Sequence, residues 1–406
     1  MKNLLVAQSG GPTAAINSTL VGVLTYALTK KDVVDKVYGA INGIEGVLKE
    51  KFIDLKGIIK DTKAMDMLCN TPSSALGSCR YKINDSNDDV IDNIIDIFRK
   101  YNIGYFIYIG GNDSMDTVDK ISQYCKDKSI DDIKIVGAPK TIDNDLEGID
   151  HCPGFGSAAK YIATTFSELE CDTRVYDKNS VTIVEIMGRN VGWLTASSVL
   201  SSIVNGCGPS LIYLCEREFE SEKFIQDIRG KLKERSNVLI AVSEGLKNKY
   251  GKYVSEEIQS NITDSFGHKY ISGVGKVLEN LVRKEIGCKV RSIELNLMQR
   301  CSSHILSKTD IDESKLLGIK ACQCALDGYT GVMATLYRKN NNPYEIELSS
   351  IDVKKVANKE KSIPLDWINR EGNYVNSEMI DYLLPLIQGE IEIEYKNGVP
   401  RHMILY

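Results

Sequence analysis

Ile133-Lys134-Ile135-Val136-Gly137-Ala138-Pro139-Lys140-Thr141-Ile142-Asp143-Asn144-Asp145 is the stretch from which the rest of the chain can be read. The apolar run Ile133 to Val136 has the length and composition of a buried strand, and Gly137 is expected to end it. A lysine and two aspartates, one residue apart, follow. In open α/β sheets, ligands bind at the carboxyl ends of the strands. This edge therefore joins an ammonium that can hold an anion to carboxylates that can take a proton from a hydroxyl. Alone, Pro139 to Asp145 reads more simply as a solvated acidic loop. Two further strand ends weigh against that reading.

Leu4 to Ala7 is a short strand, and Ser9-Gly10-Gly11 turns from it into a helix opened by Pro12, a favoured first-turn residue. Tyr105 to Ile109 is another strand, running into Gly110-Gly111-Asn112-Asp113-Ser114. Without Cβ atoms, such turns let the backbone approach a phosphate, and a helix N-terminus favours its charge. One glycine pair serves tight strand-to-helix packing equally well. Two pairs plus the lysine-aspartate loop, all after strands of one domain, point to a phosphate-handling cleft.

Strand-like and helix-like segments alternate along most of the chain, the pattern of parallel sheets covered by helices. Ile91, Ile94, Ile95 and Phe98 have helical spacing, with Asn87 and Asp88 as caps. A second set begins near Gly156. Its strands are Val181 to Ile186, which runs into Met187-Gly188-Arg189, then Ser210 to Cys215, Asn237 to Val242 and Lys289 to Leu295. Helices are expected around Phe224 to Leu232 and Ile271 to Arg283. Near the C-terminus, Glu390 to Tyr395, Asn397-Gly398 and Met403 to Tyr406 read as a β-hairpin. The expected fold class is α/β, with two doubly wound, mainly parallel-sheet domains facing each other across a cleft. Residues 1–155, joined by part of 300–345, form the first. Residues 156–299, joined by part of 346–406, form the second.

With 406 residues the chain can build two or three full cores, and its 43% hydrophobic and 26% charged residues are ordinary for a globular protein. A net charge of −5 and the lack of a long basic stripe argue against nucleic acid as partner. No apolar run reaches the roughly 18 residues of a membrane span. The eleven cysteines are irregularly spaced, and Cys322-x-Cys324 does not match common zinc spacings, so reduced thiols in a cytoplasmic protein are expected. The four histidines are scattered.

Taken in order, Gly10-Gly11-Pro12, Gly110-Gly111-Asn112-Asp113-Ser114, Pro139-Lys140-Thr141-Ile142-Asp143-Asn144-Asp145 and Met187-Gly188-Arg189 resemble the motifs of the phosphofructokinase family. Each is modest alone, and the combination is highly specific. The resemblance spans residue 9 to about 304 and favours the pyrophosphate-dependent branch. It implies Mg2+-assisted phosphoryl transfer from pyrophosphate to the 1-hydroxyl of fructose 6-phosphate, in a homo-oligomer (dimer or tetramer). Asp143 then matches the general base, with Thr141 and Asp145 as substrate- and metal-side partners. Met187, Gly188 and Arg189 match the sugar-phosphate loop, and Glu244 the carboxylate on the sugar hydroxyls. Gln299-Arg300 and Arg291 match the 6-phosphate clamps, Arg291 as a residue lent by a neighbouring subunit. Gly10, Gly11, Gly111, Ser114 and Lys140 fall on the donor side. Arg80, with Lys82, would meet the donor phosphates, although a plain surface basic pair reads nearly as well.

The donor turns on two side chains. Where ATP-using relatives have a glycine, this chain has Asp113, which would repel a nucleotide's α-phosphate. Where they have a small residue it has Lys140, which offsets the charge of a two-phosphate donor. The sequence also departs from the family. Asn112 stands where many relatives hold magnesium through an aspartate; its amide is expected to meet the metal through its carbonyl or a water beside Asp145, with the charge supplied by Asp143, Asp145 or the phosphates. Leu297 stands where some use a histidine, and Ser180 where some have a trans-subunit arginine. An ATP-dependent enzyme and a non-catalytic sugar-phosphate-binding subunit stay open as alternatives. Residues 340–406 carry no motif.

Overall fold

The computed structural model describes residues 1–84, 88–175, 177–257 and 273–406. Uninterrupted Val, Ile and Leu runs become strands buried on both faces, as parallel sheets demand. The strands are β1 (Lys2–Gln8), β2 (Val34–Ala40), β3 (Phe52–Asp54), β4 (Ile103–Gly110), β5 (Lys134–Pro139), β6 (Ser180–Ile186), β7 (Leu211–Tyr213), β8 (Asn237–Ser243), β9 (Lys289–Glu294), β10 (Val332–Asn341) and β11 (Tyr344–Asp352). Seven of them form one sheet in the order β11-β10-β5-β4-β1-β2-β3, parallel except for the outer pairs β2–β3 and β10–β11. Four form a second, wholly parallel sheet in the order β7-β8-β6-β9.

Each sheet reverses direction once, and each reversal sets the site. From β1 the chain moves out to β2 on one side and returns to β4 on the other, so β1 and β4 lie together with Gln8 opposite Ile109. In the second sheet β6 lies between β8 and β9. At such a switch point the loops splay apart and leave a crevice.

The helix Asp88–Lys100 buries Ile91, Ile94, Ile95, Ile97 and Phe98, with acids in its first turn and bases in its last, favourable at both ends of the helix dipole. Asp88 opens that helix, while Asn87 lies outside the described residues. Alternation along β6 divides its side chains: Val184 and Ile186 enter one core, Val181 and Ile183 the other. Beyond residue 300 the chain crosses between the two layers. The helix Lys308–Leu326 contributes Ile311, Leu317 and Ala321 to the first core, and β10 and β11 widen the first sheet. Ile363, Ile368, Met379 and Leu383 then pack in the second core, and Leu405 returns to the first.

Several expected boundaries move. β5 continues past Gly137 to Pro139, because the ladder with β4 runs on to Gly110 opposite Pro139. Lys140 therefore begins directly at the strand end, and its N–H still reaches the Gly110 carbonyl at 2.8 Å. The turn at Asn397-Gly398 is present, but its strands shrink to Tyr395–Lys396 and Val399–Pro400. Ile271 lies outside the described residues, and the helix there spans Val274–Glu285. Strands β2, β3, β10 and β11 have no counterpart in the sequence reading. No described helix is long and apolar enough to cross a membrane.

Candidate active site

The splayed loops of both sheets face one cleft of about 630 Å3. One wall comes from the first sheet. Gly10 adopts φ +77, where a side chain would be strained, and a Cβ on it would stand 3.1 Å from the Lys140 Nζ. A Cβ on Gly11 would stand 3.2 Å from an Arg300 guanidinium nitrogen. The bare turn is thus what lets two cations approach the backbone. Gly111 precedes the helix Asn112–Asp127, which has no side-chain cap, so its first N–H groups and its dipole face the cleft. Asp113 and Ser114 in its first turn line the same wall, with Arg80 and Lys82 exposed at the mouth.

Lys140 is fully buried apart from 1% of its surface and donates to the Gly11 carbonyl at 2.6 Å. Burial lowers its ammonium to about 8, opposed by the nearby Asp143 carboxylate. Thr141 lines the cleft, and its hydroxyl accepts from the Asp143 N–H at 3.1 Å. Asn144 takes a left-handed φ of 58 and is wholly buried. It donates to the Tyr382 hydroxyl at 2.8 Å and accepts from the Cys152 N–H at 2.9 Å. That anchor leaves the flanking Asp143 and Asp145 turned into the cleft.

The second sheet supplies the facing wall. After β6, Gly188 adopts φ +132 and a Cβ there would meet the Val191 carbonyl at 2.4 Å, so only glycine fits. Its N–H donates to the Glu244 carboxylate at 3.1 Å, and the Met187 N–H donates to the buried Gln299 side chain at 3.2 Å. Met187, Arg189, Glu244 and Arg300 line the cleft, while Gly188 and Gln299 brace it from behind. The Arg189 Nε is buried without a hydrogen-bond partner.

Burial raises the carboxyls of Asp143, Asp145 and Glu244 above the ordinary range. For Asp143 the neighbouring Glu244 adds to the effect, and for Asp145 the neighbouring Asp143 does, while Glu244 reaches about 7. Lys140, Arg189 and Arg300 pull Asp143 the other way. Recessed acids balanced against fixed cations suit proton uptake from an alcohol beside a polyanion.

Arg291 lies on β9 outside this cleft, half-exposed, with its guanidinium 3.9 Å from Asp172, as a residue lent to a neighbouring copy would. One expectation comes out differently. Asn112 lines the cleft, but its amide is already engaged: Nδ2 donates to the Lys359 carbonyl at 2.6 Å and Oδ1 accepts from the Asn358 N–H at 2.5 Å. An oxygen so engaged leaves little for a metal. Asp145 fits better, because its Oδ1 is buried without a partner. Among the described residues no three His, Cys, Asp or Glu side chains gather to hold a metal ion.

The sequence reading missed Asn190, Asn358 and Glu360, all of which line the cleft. Asn190 directly follows Met187-Gly188-Arg189. Glu360 lies far from every motif, and nothing in its local sequence signals its place.

A family model described as phosphofructokinase matches residues 3–325. The pyrophosphate–fructose 6-phosphate 1-phosphotransferase of Methylococcus capsulatus is 37% identical, covering 100% of this chain and 96% of that one. A crystal structure of a pyrophosphate-dependent phosphofructokinase from Nitrosospira multiformis superposes with a TM-score of 0.88 at 35% identity, covering 99% and 96% of the two chains. The sulfofructose kinase of Alkalicoccus urumqiensis is 31% identical over 91% of this chain and 92% of its own.

Proposed function

Because the chain belongs to the phosphofructokinase family, we propose that it transfers a phosphoryl group reversibly from pyrophosphate to the 1-hydroxyl of fructose 6-phosphate. The products are fructose 1,6-bisphosphate and phosphate. The observation that carries this reading is the position of Asp143, recessed between a buried ammonium on one wall and Glu244 with two arginines on the other. The 1-hydroxyl proton passes to Asp143 as its oxygen bonds the transferred phosphorus. The bridging P–O bond breaks and its electrons leave with the departing phosphate. Lys140, the Gly11 N–H and the N–H groups after Gly111 offset the charge on that leaving group. Arg189 lies where it can meet the moving phosphoryl group, Glu244 orients sugar hydroxyls, and Arg300 holds the 6-phosphate. Asp145 would hold Mg2+, which when bound would supply charge neutralisation at the donor phosphates. Arg291 serves best as a 6-phosphate contact lent to the cleft of a neighbouring copy in a homo-oligomer.

Asp113 stands among the donor loops and would oppose an α-phosphate there, which supports pyrophosphate over ATP. The deciding experiment compares the two donors with fructose 6-phosphate, following bisphosphate formation and its reverse. Turnover with pyrophosphate and phosphate is expected. Strong ATP turnover with none from pyrophosphate would overturn the donor assignment, and sugar-phosphate binding with no product from either donor would make the chain a binding subunit. Running the assay with sulfofructose as acceptor tests the other relative's activity.

A further inference from the structure

Residues 358–361 cross the cleft from outside both sheets, and their bonds reach both walls and the loop between them. On the donor side, Asn112 holds the Asn358 N–H and the Lys359 carbonyl, and the Asn358 amide donates to Asp116 at 2.9 Å. In the centre, the Lys361 N–H donates to the Asp145 carbonyl at 2.8 Å, and Glu360 pairs with Leu146 in an antiparallel bridge. On the sugar side, the Asn190 amide donates to Glu360 at 2.6 Å, and the Trp193 indole donates to the Lys361 carbonyl at 2.9 Å. The Lys361 ammonium closes the strap onto the carbonyls of Ile149 and Asp150, at 3.1 and 2.7 Å.

We propose that Asn112 is a positioning residue whose amide clamps this strap across the cleft and thereby fixes Asp145 and Glu360 between the two sheets. The amide is chemically required there. One end must donate to a carbonyl and the other must accept from an N–H, which a carboxylate cannot do. An aspartate would set an anionic oxygen against the Lys359 carbonyl, losing one bond and adding a repulsion. Fixing the strap fixes the Asp145 backbone through the Lys361 N–H, so the clamp acts on the reacting groups through another residue. A displacement of about 1 Å at such groups can cost roughly 100-fold in rate.

The test uses Asn112→Asp and Asn112→Ala in the full-length protein. Hydrogen exchange at the Lys361 amide is read first, and it reports on the clamp whatever the donor proves to be. Both variants are expected to raise that exchange at least about tenfold. The kinetic arm rests on the reaction proposed above: kcat should fall roughly 10- to 100-fold, with the KM for fructose 6-phosphate within about twofold of the parent. Mn2+ binding in the presence of pyrophosphate, followed by electron paramagnetic resonance, should be no tighter in Asn112→Asp. Unchanged exchange with tighter Mn2+ binding in that variant would overturn the proposal and make residue 112 a metal ligand. Asn190→Ala, which releases the strap from the opposite side, provides a second route if Asn112→Ala does not fold. It too should raise exchange at Lys361, and parental exchange there would overturn the proposal.

Discussion

The two walls of the cleft handle charge in opposite ways. The wall from the first sheet gathers positive potential from backbone N–H groups, a helix N-terminus and one buried ammonium lowered to about 8. The central loop and the wall from the second sheet carry recessed acids raised by burial, offset by Arg189 and Arg300. Each arrangement is uncomfortable while the cleft holds only water. Each is relieved by a ligand of the right kind, a polyanion on one side and hydroxyls on the other. The contrast shows a site built to be completed by its substrates, at some cost to the stability of the protein alone.

Breaking the contrast at its centre should have the largest effect. Asp143→Ser removes the proton acceptor, and kcat is expected to fall roughly 100- to 10,000-fold with sugar binding nearly intact. Equilibrium binding and initial rates check this, and parental turnover would refute the assignment. Lys140→Gly removes the one buried cation of the donor wall. A loss of roughly 100- to 1,000-fold in kcat and a higher KM for pyrophosphate are expected, and no change in either would remove its donor role.

The opposed shifts also fix a pH profile. The acid limb should lie above the ordinary carboxylate range, because Asp143 must lose its proton, and the alkaline limb near 8, where Lys140 loses its own. Initial rates across pH 5 to 9.5 test both limbs, and a limb at the usual carboxylate value near 4 would contradict the burial argument.

Asp113→Gly should admit ATP measurably while weakening pyrophosphate use several-fold, a smaller effect read in a competition assay. The smallest expected effect concerns stability. The Glu244 carboxyl is raised to about 7 in the folded state, from an ordinary 4.5. Its folded form therefore holds the proton more tightly, and the stabilisation present below 4.5 is lost as pH rises through about 7. Glu244→Gln keeps an acceptor for the Gly188 N–H without the buried charge, so Tm should rise by roughly 1–3 °C at pH 8 and not at all at pH 4.5. A Tm gain that is the same at both pH values would place its cause in packing rather than ionisation.

The sequence by itself determined the strand ends and the loops that follow them. An apolar run ending in glycines or in Lys140-Thr141-Ile142-Asp143 is a local pattern, and the parallel sheet makes its carboxyl end a binding edge. It did not reveal β2, β3, β10 or β11: β11 alternates from Tyr344 to Leu348 and pairs locally with β10, but β10 joins the sheet only where Val332 and Met333 meet Val136 and Gly137, far back in the chain. Nor could it show that Asn112 is occupied by the backbone of Asn358 and Lys359. Glu360 reaches the site only because the chain crosses between two cores after residue 352. Such contacts are set by packing over some 250 residues of separation, and no local pattern encodes them. Chemistry that sits at a strand end was legible from its own residues. Chemistry delivered by a distant crossing existed only once the fold had closed.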